Sequence, residues 1–382
     1  MSEWKACLLK DLCDFISTKT SITNATLQNY VSTENMLPNF GGVVNADKLP
    51  SGNTINSFQR GDVLFSNIRT YFKKVWFAEF NGTVSADVLV VRAKSVCDPR
   101  FLYYLLCEPD FTEYTVLTSR GAKMPRGDKE AILSYKLDLP PLPEQKAIAS
   151  VLSSLDDKID LLHRQNKTLE AMAETLFRQW FIEEAKEDWE DKPLSSIATF
   201  TNGLACQKYP PQPNEPKLPV LKIKDLTSGI SDSSDWATAN VDPKYIVNHG
   251  DVIFAWSASL MVKIWFGETC VLNQHLFNVT SDEYPKWFFY QWCKYHLEEF
   301  ISISQSHATT MGHIKRKDLD EAMVKVPSHS ELQEMTRSFE PLMDKLITNL
   351  KQIQTLENLR DTLLPKLMSG EVRVQYQTEE VA

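Results

Sequence analysis

The chain has 382 residues, which is enough for two packed domains, and its 43% hydrophobic and 24% charged content is typical of globular proteins. It contains no run of about 18 apolar residues and no secretory apolar core at its start, so we expect a cytoplasmic protein without membrane contact. The net charge of −9 lies mostly in residues 141–190 and 328–382; the rest of the chain is nearly neutral, and a basic face there is not excluded.

The first 140 residues predict an α+β domain. Short β-type runs such as "DVLFS", "KKVWFAEF" and "ADVLVVRA" alternate with turn residues. A more helical stretch, "RFLYYLLCEPDF", follows them. A polar loop that contains glycine then leads to a strand that ends at proline. We therefore place a first domain at residues 1–140.

Residues 141–185 predict a long helix with a coiled-coil seam. The segment "LPPLPEQ" ends the preceding strand and begins the helix, because the missing N–H of proline has no partner in a first helical turn. Apolar residues then recur at alternating steps of four and three, which favours a coiled coil over a generic amphipathic helix. The seam comprises Ile148, Leu152, Leu155, Ile159, Leu162, Asn166, Leu169, Ala173, Leu176 and Trp180.

Residues 186–327 repeat the pattern of the first domain. "GDVIFAWSASLMVKIWF", from Gly250, matches "GDVLFSNIRTYFKKVWF", from Gly61, at seven of 17 positions without a gap. "PKWFFYQWC" likewise matches "PRFLYYLLC" further along. An ordered series of matches indicates a tandem duplication, whereas chance similarity between apolar strands would explain only one match. The second copy opens with a proline-rich loop, "CQKYPPQPNEPKLP".

Residues 328–372 predict a second long helix, followed by a polar tail at 373–382. Its seam comprises Met335, Phe339, Leu342, Leu346, Asn349, Ile353, Leu356, Arg360, Leu363 and Leu367. We expect Pro365 and Gly370 to end this helix. Two matched seams in one chain favour antiparallel pairing with each other, although pairing with another molecule stays open. Asn166 and Asn349 would then meet near mid-helix and fix the register; alternatively, each faces a solvent gap.

These elements predict an α+β fold class: two tandem, pseudo-two-fold-related α/β domains joined by a long antiparallel two-helix coiled coil. The seam from Ile148 to Trp180 would span about 50 Å at about 1.5 Å per residue. On B-DNA, recognition sites one helical turn apart lie about 34 Å from centre to centre. The architecture therefore suits a duplex with two separated sites, and those sites should differ because the two domains differ in sequence.

Three sets of motifs point to a known family. They are "LPPLPEQKAIASVLSSLDDKID" with "FRQWF", the pair "GDVLFS" and "GDVIFA", and the ending "LRDTLLPKLMSGEVRV". With these motifs and its duplication, the chain resembles the specificity subunits of Type I restriction-modification systems over nearly its whole length. The resemblance implies two target-recognition domains, each reading one half of a bipartite double-stranded DNA sequence. It also implies that the helices act as a ruler and dock adenine methyltransferase (modification) subunits.

The resemblance also implies which cofactors belong to the assembly. The modification subunits would bind S-adenosylmethionine, and restriction subunits that use ATP and Mg²⁺ would join a larger complex. This chain itself would bind no cofactor. One departure from the family pattern concerns docking: "VPSHSELQEM" replaces "LPPLPEQKAI" at the second junction and keeps only Pro327 and Glu331.

The chain carries no recognisable catalytic or metal motif. It has no phosphate-binding loop of the G-x-x-x-x-G-K-[ST] type and no Asn-Pro-Pro-aromatic tetrapeptide of the kind that amino-methyltransferases need. His307 and His313 have neither an H-E-x-x-H pattern nor a cysteine partner, and the seven cysteines form no C-x-x-C pair. We therefore predict a non-catalytic subunit without a metal site and with reduced thiols.

DNA contacts are expected where the repeated stretches diverge, at "NIRTYFK" and "WSASLMV", because readers of different sequences should differ there. The loops "SRGAKMPRGDK" and "SHATTMGHIKRKD" offer groups suited to phosphates, and "LNQHLF" offers a glutamine suited to adenine. The candidate DNA-binding residues are Asn67, Arg69, Tyr71, Lys73, Lys74, Arg120, Lys123, Arg126, Ser257, Lys263, Gln274, His275, His307, Thr309, Lys315 and Arg316.

Two alternatives apply to these residues and to the whole chain. Each candidate could instead be an ordinary solvated side chain. Lys74 and Lys263 align in both copies, which favours a shared role such as phosphate contact or protection of a strand edge. The chain as a whole could be a two-headed coiled-coil scaffold that binds protein or carbohydrate partners without reading DNA.

Overall fold

A computed structural model describes residues 4–231, 233–306 and 312–375. It divides into two compact units. Unit 1 comprises residues 4–158 with 356–375, and unit 2 comprises residues 159–355 apart from the gaps just given. None of the described helices combines the length and the apolarity needed to cross a bilayer.

Unit 1 is built from short strands followed by short helices. Its strands are β1 (Lys5–Leu8), β2 (Cys13–Ile16), β3 (Thr18–Ser21), β4 (Tyr30–Val31), β5 (Thr54–Phe58), β6 (Val63–Ser66), β7 (Val75–Phe77), β8 (Gly82–Val84), β9 (Val88–Ala93) and β10 (Lys136–Leu139). Its short helices are α1 (Leu9–Leu12), α2 (Pro99–Cys107), α3 (Pro109–Leu117) and α4 (Lys129–Leu133).

The central sheet of unit 1 has the strand order β2-β9-β6-β7 and is antiparallel throughout. A second sheet, β3-β5-β8-β4, covers one of its faces, and a β1–β10 ribbon stands apart. Along β9, Leu89 and Val91 pack with the helices, whereas Val88 and Val90 pack toward the second sheet. Because this strand is buried on both faces, its sequence is a continuous apolar run rather than an alternating one.

Unit 2 repeats this plan. Its strands are β11 (Glu190–Pro193), β12 (Thr199–Asn202), β13 (Lys217–Leu221), β14 (Trp236–Thr238), β15 (Ile246–Val247), β16 (Val252–Ala255), β17 (Met261–Ile264), β18 (Cys270–Leu272), β19 (Leu276–Thr280) and β20 (Met323–Val326). Its short helices are α6 (Leu194–Ile197), α7 (Asp225–Ser228), α8 (Lys286–Tyr295), α9 (Leu297–Ser306) and α10 (Arg316–Glu321).

The central sheet of unit 2, β12-β19-β16-β17, has the same order and directions as that of unit 1. The second sheets differ at their edges. Both contain a three-strand core in which one pair is parallel, β4 with β8 and β13 with β18. Unit 1 adds β3 beside β5, whereas unit 2 adds β14 beside β13. The duplication therefore keeps the central sheet and varies the outer one.

Two long helices complete the units. They are α5 (Leu142–Arg178), which continues as a π-helical turn over Gln179–Glu183, and α11 (His329–Met368). All ten predicted seam positions in each helix are buried or half-buried, so the predicted seam and the α+β class are confirmed. The expected end at Pro365 is wrong. The helix passes through it to Met368, and Gly370 follows with a φ of +76°.

The helices are antiparallel inside each unit. In unit 2, Asn166 contacts Asn349, and the ring of Trp180 lies 6.3 Å from that of Phe339. The side-chain amide of Asn349 donates to Asn166 Oδ1 at 2.9 Å. In unit 1, Arg360 donates to Asp156 at 3.0 Å. The structure therefore places the two asparagines of the seams in direct contact.

Each long helix has a glutamate in its first turn. This glutamate forms an ion pair with a basic residue in the segment that follows the other long helix. In unit 1, Glu144 is fully buried and accepts from Trp4 Nε1 at 3.2 Å and from Arg373 Nε at 2.5 Å. In unit 2, Glu331 accepts from Lys186 Nζ at 2.5 Å and from the hydroxyl of Ser328 at 2.6 Å. Glu331 thus corresponds to Glu144 in the repeat, and at both positions an ion pair connects the start of one long helix to the segment after the other.

The Glu331 pair predicts an acid-dependent loss of stability. The bond to Lys186, and then that to Ser328, lowers the pKa of Glu331 from 4.5 to about 2. Because the folded pKa is depressed, the stabilisation is present above the unfolded value of 4.5 and disappears as the pH falls toward 2. We expect Glu331→Gln to make the protein less sensitive to acid over that interval, as measured by urea denaturation at several pH values.

The control is Glu340→Gln, which removes an exposed carboxylate farther along the same helix. This variant should follow the wild-type pH dependence. A Glu331→Gln protein that lost stability below pH 4.5 as steeply as the wild type would contradict the assignment.

Candidate nucleic-acid interface

In unit 1, the tip of the β6–β7 hairpin is joined to the loop before α4. The tip contains a 3₁₀ turn over Thr70–Phe72, flanked by Arg69 and Lys73 in the left-handed conformation, with φ of +50° and +53°. The backbone N–H of Arg69 donates to Pro125 O at 2.8 Å, and that of Gly127 donates to Asn67 O at 3.0 Å. The two loops that the sequence predicted as DNA contacts therefore form one surface.

A side chain at Gly127 would crowd this junction. A Cβ built on Gly127 would lie 2.7 Å from Asn67 Oδ1 and 3.0 Å from Ile132 Cδ1. Asn67 is itself 9% exposed, and its Oδ1 is buried without a hydrogen-bond partner. Asn67 therefore lies beneath the surface formed by the loops, at the point where they meet.

Basic side chains surround this junction. Arg120, Lys123 and Arg126 are exposed, while Arg69 and Lys73 are half-buried beside the exposed ring of Tyr71. Two of the guanidinium groups have carboxylate partners: Arg120 with Asp128 at 2.5 Å and Arg126 with Asp87 at 3.0 Å. Ion pairs this exposed contribute about 1 kcal/mol or less, so a phosphate could replace either carboxylate at small cost.

Unit 2 joins the corresponding loops in the same way. The N–H of Ala258, at the tip of the β16–β17 hairpin, donates to Gly312 O at 2.9 Å. The N–H of Ile314 donates to Trp256 O at 3.1 Å, and Ser257 forms a β-bridge with His313. The bridge in unit 1 joins Ile68 and Arg126 at corresponding positions. The two units therefore carry equivalent loop junctions with different side chains.

The side chains at the unit 2 junction form a hydrogen-bonded group. Ser257 is buried, and its hydroxyl lies 3.1 Å from Nδ1 of His275, whose Nε2 lies 3.3 Å from the amide of Gln274. Trp256 stacks on Phe277, with ring centroids 5.6 Å apart. The exposed side chains of Lys315 and Arg316 begin α10 nearby. The predicted contacts His307 and Thr309 lie outside the described residues.

Lys74 and Lys263 are directed at the protein backbone. Lys74 Nζ donates to Thr33 O at 2.6 Å, and burial lowers its pKa. Lys263 Nζ donates to Leu226 O at 3.2 Å. Thr33 and Leu226 follow the equivalent strands β4 and β13, so both lysines connect the central hairpin to the second sheet. Their ammonium groups already have partners within their own units.

The ungapped alignment of these two lysines is wrong. The N–H of Gly61 donates to Ala78 O, whereas that of Gly250 donates to Trp265 O, two residues earlier in the repeat. The hairpin of unit 1 is longer because its tip accommodates the 3₁₀ turn. Lys263 therefore pairs across from Ile253, a position that corresponds to Trp76 and not to Lys74.

Comparison with known proteins decides the family. A family profile described as the Type I restriction modification DNA specificity domain matches residues 1–171 and again residues 186–358. The chain belongs to the Type I restriction-modification DNA specificity family. The two matches correspond to the two halves of the duplication, so the chain carries two tandem target-recognition domains. Specificity subunits of these systems are non-catalytic.

Named relatives agree with this assignment. The chain is 28% identical over 348 residues to the Type I restriction enzyme MjaIX specificity subunit of Methanocaldococcus jannaschii, covering 84% of this chain and 80% of the relative. It is 21% identical to the HindI specificity subunit of Haemophilus influenzae, covering 97% and 100%. The crystal structure of the Type I S subunit from M. genitalium shares the fold, with a TM-score of 0.57, 17% identity and 96% coverage of each chain.

Within the recognition domains, sequence reasoning missed several residues beside the loop junctions. Asn39 and Phe40 both have positive φ, and their N–H groups donate to Phe72 O and Lys73 O at 2.9 Å. They add a third segment to the unit 1 junction, and the turn-like "PNFGG" was the available signal. In unit 2, Trp256 Nε1 donates to Asn202 Oδ1 at 3.1 Å; no local pattern links these two positions.

The described residues offer no metal site at these junctions or elsewhere. Among them, no three His, Cys, Asp or Glu side chains lie close enough together to hold an ion. The cysteines are free, and burial raises the pKa of Cys206 to about 11 and that of Cys13 to about 12. These thiols are therefore protonated at neutral pH and act as packing groups.

Proposed function

We propose that the chain reads an asymmetric bipartite duplex, one half with each recognition domain, and docks adenine methyltransferase subunits along its helices. We assign the first recognition domain to residues 1–140, the central helix to 141–185, the second recognition domain to 186–327, the distal helix to 328–372 and a polar tail to 373–382. The paired seams of α5 and α11 would act as the ruler between the half-sites. The protein would work in the cytoplasm, together with its DNA.

One observation carries the proposal. In each unit, backbone hydrogen bonds join the tip of the central hairpin to the loop before the last short helix, at positions that correspond in the repeat. The main-chain geometry is retained while the side chains on it differ. A shared platform with unlike side chains is what two readers of different base sequences require. The family match favours this role over a scaffold for protein or carbohydrate partners.

The two junctions offer different chemistry to DNA. The first presents Arg69, Lys73, Arg120, Lys123 and Arg126, whose charges suit phosphates and whose guanidinium groups can pair bidentately with guanine. The unit 2 junction presents imidazole, amide and hydroxyl groups around Trp256, and its cations, Lys315 and Arg316, lie at the start of α10. A glutamine amide such as that of Gln274 can pair bidentately with adenine. We therefore propose that the first domain contributes most of the salt dependence of binding.

Arg69→Ala tests whether the hairpin tip of unit 1 reads bases. If Arg69 contacts a base edge, the variant in complex with its methyltransferase subunit should lose about 1–3 kcal/mol on the cognate first half-site and little on a mismatched one. Methylation assays on a panel of half-site variants measure this directly. A loss of equal size on all sequences would reassign Arg69 to the phosphate backbone.

Lys123→Ala is the matched control for a phosphate contact. It should weaken binding to every sequence equally and reduce the slope of the logarithm of the binding constant against the logarithm of the salt concentration by about one.

The chain alone is acidic overall, so we expect weak duplex binding in isolation and tight binding in the assembled complex. Tight duplex binding by the isolated chain at physiological salt would contradict this expectation.

The partner subunits would supply the chemistry. We propose that the modification subunits bring S-adenosylmethionine and, where restriction subunits are present, that these bring ATP and Mg²⁺. Methylome sequencing of cells that express this chain with its modification subunit tests the proposal as a whole. A methylated motif with two specified parts around an unspecified spacer supports it, and a continuous motif or none contradicts it.

A further inference from the structure

Unit 2 contains a cavity that does not belong to the candidate interface. It has a volume of about 690 Å³ and lies where the last turns of α5 meet the end of α8, the start of α9 and the end of α10. The loop junction that faces DNA in the proposal lies at the other ends of α9 and α10. Since α9 has ten residues, the two places are separated by about 15 Å of helix.

In unit 1, a tyrosine fills the corresponding space. Tyr135 and Ala322 are equivalent because each immediately precedes the last strand of its unit and each carbonyl accepts from the first residue of the first helix, Leu9 or Leu194. The ring of Tyr135 packs 5.1 Å from that of Phe111. Ala322 provides no ring, so the space stays open in unit 2.

A second replacement makes the cavity polar. Gln291 lines it at the position that Leu105 occupies in the apolar core of unit 1. Gln291 is 3% exposed, and among the described residues its side-chain amide makes no hydrogen bond. The fully buried polar atoms without a partner among the described residues do not include this amide, so solvent in the cavity reaches it and it can donate to or accept from a ligand. Two exchanges at one place, Tyr to Ala and Leu to Gln, thus replace packed side chains by a cavity with a polar group in its wall.

The charges around the cavity favour a cation. Four glutamates line it against Arg178 and Lys294. Two of the glutamates have partners, Glu299 with His296 and Glu321 with Lys317. The other two are Glu174 and Glu298, which make no ion pair among the described residues.

The walls add aromatic surface to this charge. The rings of Phe177 and Tyr295, which both line the cavity, have centroids 6.0 Å apart. Phe177 is 2% exposed, whereas Tyr295 is 42% exposed and offers a free ring face. A flat cation can stack on that ring while its N–H groups donate to carboxylates and to an amide oxygen, and guanidinium combines these properties better than ammonium. His296 contributes no free nitrogen, because Nδ1 lies 3.1 Å from Glu299 and Nε2 lies 3.0 Å from Met323 O.

We propose that this cavity binds a guanidinium group, with Gln291 Oε1 and the unpaired glutamates as acceptors and Tyr295 as the stacking surface. The group can come from an arginine side chain of a partner polypeptide or from a free guanidino compound. Its position at the far ends of α9 and α10 leaves the loop junction open, so the cation and DNA can bind together. Unit 1 has no such site because Tyr135 and Leu105 fill it.

Isothermal titration of the full-length chain with N-acetyl-L-arginine methylamide tests the site. The neutral citrulline analogue, which has the same shape without the charge, should bind about tenfold more weakly or not at all. Ala322→Tyr and Gln291→Leu restore the residues of unit 1, so both should fold, and each should weaken arginine-analogue binding by about tenfold or more. Glu340→Gln removes an exposed carboxylate elsewhere on α11 and should bind as the wild type does.

Repeating the titration on the complex with its methyltransferase subunit separates the two sources. Loss of analogue binding there identifies an arginine of the partner as the occupant, whereas unchanged binding identifies a free compound. Equal binding of the arginine and citrulline analogues, no binding of the arginine analogue to the wild-type chain, or full binding by both cavity variants would overturn the proposal. None of these outcomes depends on DNA recognition.

Discussion

Replacing Glu144 with alanine is expected to lower the free energy of unfolding by about 3 kcal/mol, because the carboxylate is a buried partner of a charged group. Glu144 is fully buried and binds both the indole N–H of Trp4 and the guanidinium of Arg373. Its removal deprives the half-buried Arg373 of this charge partner and releases the segment after α11 from the start of α5. Chemical denaturation at neutral pH measures the loss.

The second junction provides a matched control. Glu331→Ala breaks the equivalent pair, but the side chain of Lys186 is 59% exposed, so we expect a much smaller loss of stability than for Glu144→Ala. Limited proteolysis should show early cleavage near residue 370 in the Glu144 variant and not in the Glu331 variant. Equal losses in the two variants would mean that burial does not distinguish the junctions.

Replacing both seam asparagines with leucine is expected to stabilise the protein by about 1 kcal/mol, whereas either single replacement should destabilise it by about 2 kcal/mol. Asn349 donates to Asn166, but Asn166 Nδ2 and Asn349 Oδ1 are buried without partners. The double variant removes both orphan atoms. Asn349→Leu leaves Asn166 Oδ1 without its donor, whereas after Asn166→Leu the amide of Asn349 keeps only its longer bond, 3.3 Å, to Gln165 Oε1. Urea denaturation of the wild type, both single variants and the double variant completes the cycle.

The same variants test whether the asparagines fix the register. Aliphatic pairs at this position accept more than one alignment of the helices, whereas an asparagine pair accepts one. If the helices set the spacing of the half-sites, the double variant should methylate targets of altered spacer length in addition to the original ones. A double variant that was less stable than the wild type would contradict this expectation and would show that the asparagine pair stabilises the fold relative to two leucines.

The long helices could be predicted well from the sequence because their signal is periodic and local. Steps of three and four residues fix which side chains face a partner, and burial follows those steps in both helices. The end of α11 could not be predicted from Pro365 alone. Proline lacks one N–H but still accepts, and Ser369 donates to Pro365 O at 3.0 Å to continue the last turn.

The site was only partly predictable. Both loops of each junction were recognisable as polar and divergent, but their union depends on hydrogen bonds between residues far apart in sequence, such as Arg69 with Pro125. Nothing local indicates that Ser257 is buried against His275 or that Lys74 binds a carbonyl. The exchange of Tyr135 for Ala322 also has no local signature, because its effect depends on which neighbours the ring would touch.

The two-residue difference in length between the central hairpins could not be predicted from the sequence, for a physical reason. Side chains along a strand alternate between faces with a period of two, so a displacement by two residues returns every side chain to its original face. Without the shift, Val75 aligns with Ile264; with the shift, it aligns with Val262. All three side chains are buried, so both alignments match apolar residues with apolar residues. The pattern of apolar residues therefore does not indicate the shift, whereas the backbone partners of Gly61 and Gly250 do.

That shift has a practical meaning for anyone who would redesign these hairpins. A change of tip length by an even number of residues lets the strand pairing shift without exchanging the faces of the strand, whereas an odd change has to be absorbed by the loop or by a bulge. Natural variation and laboratory grafting of recognition tips should therefore proceed in pairs of residues. A library built on even-numbered insertions should yield far more folded proteins than one built on odd-numbered insertions.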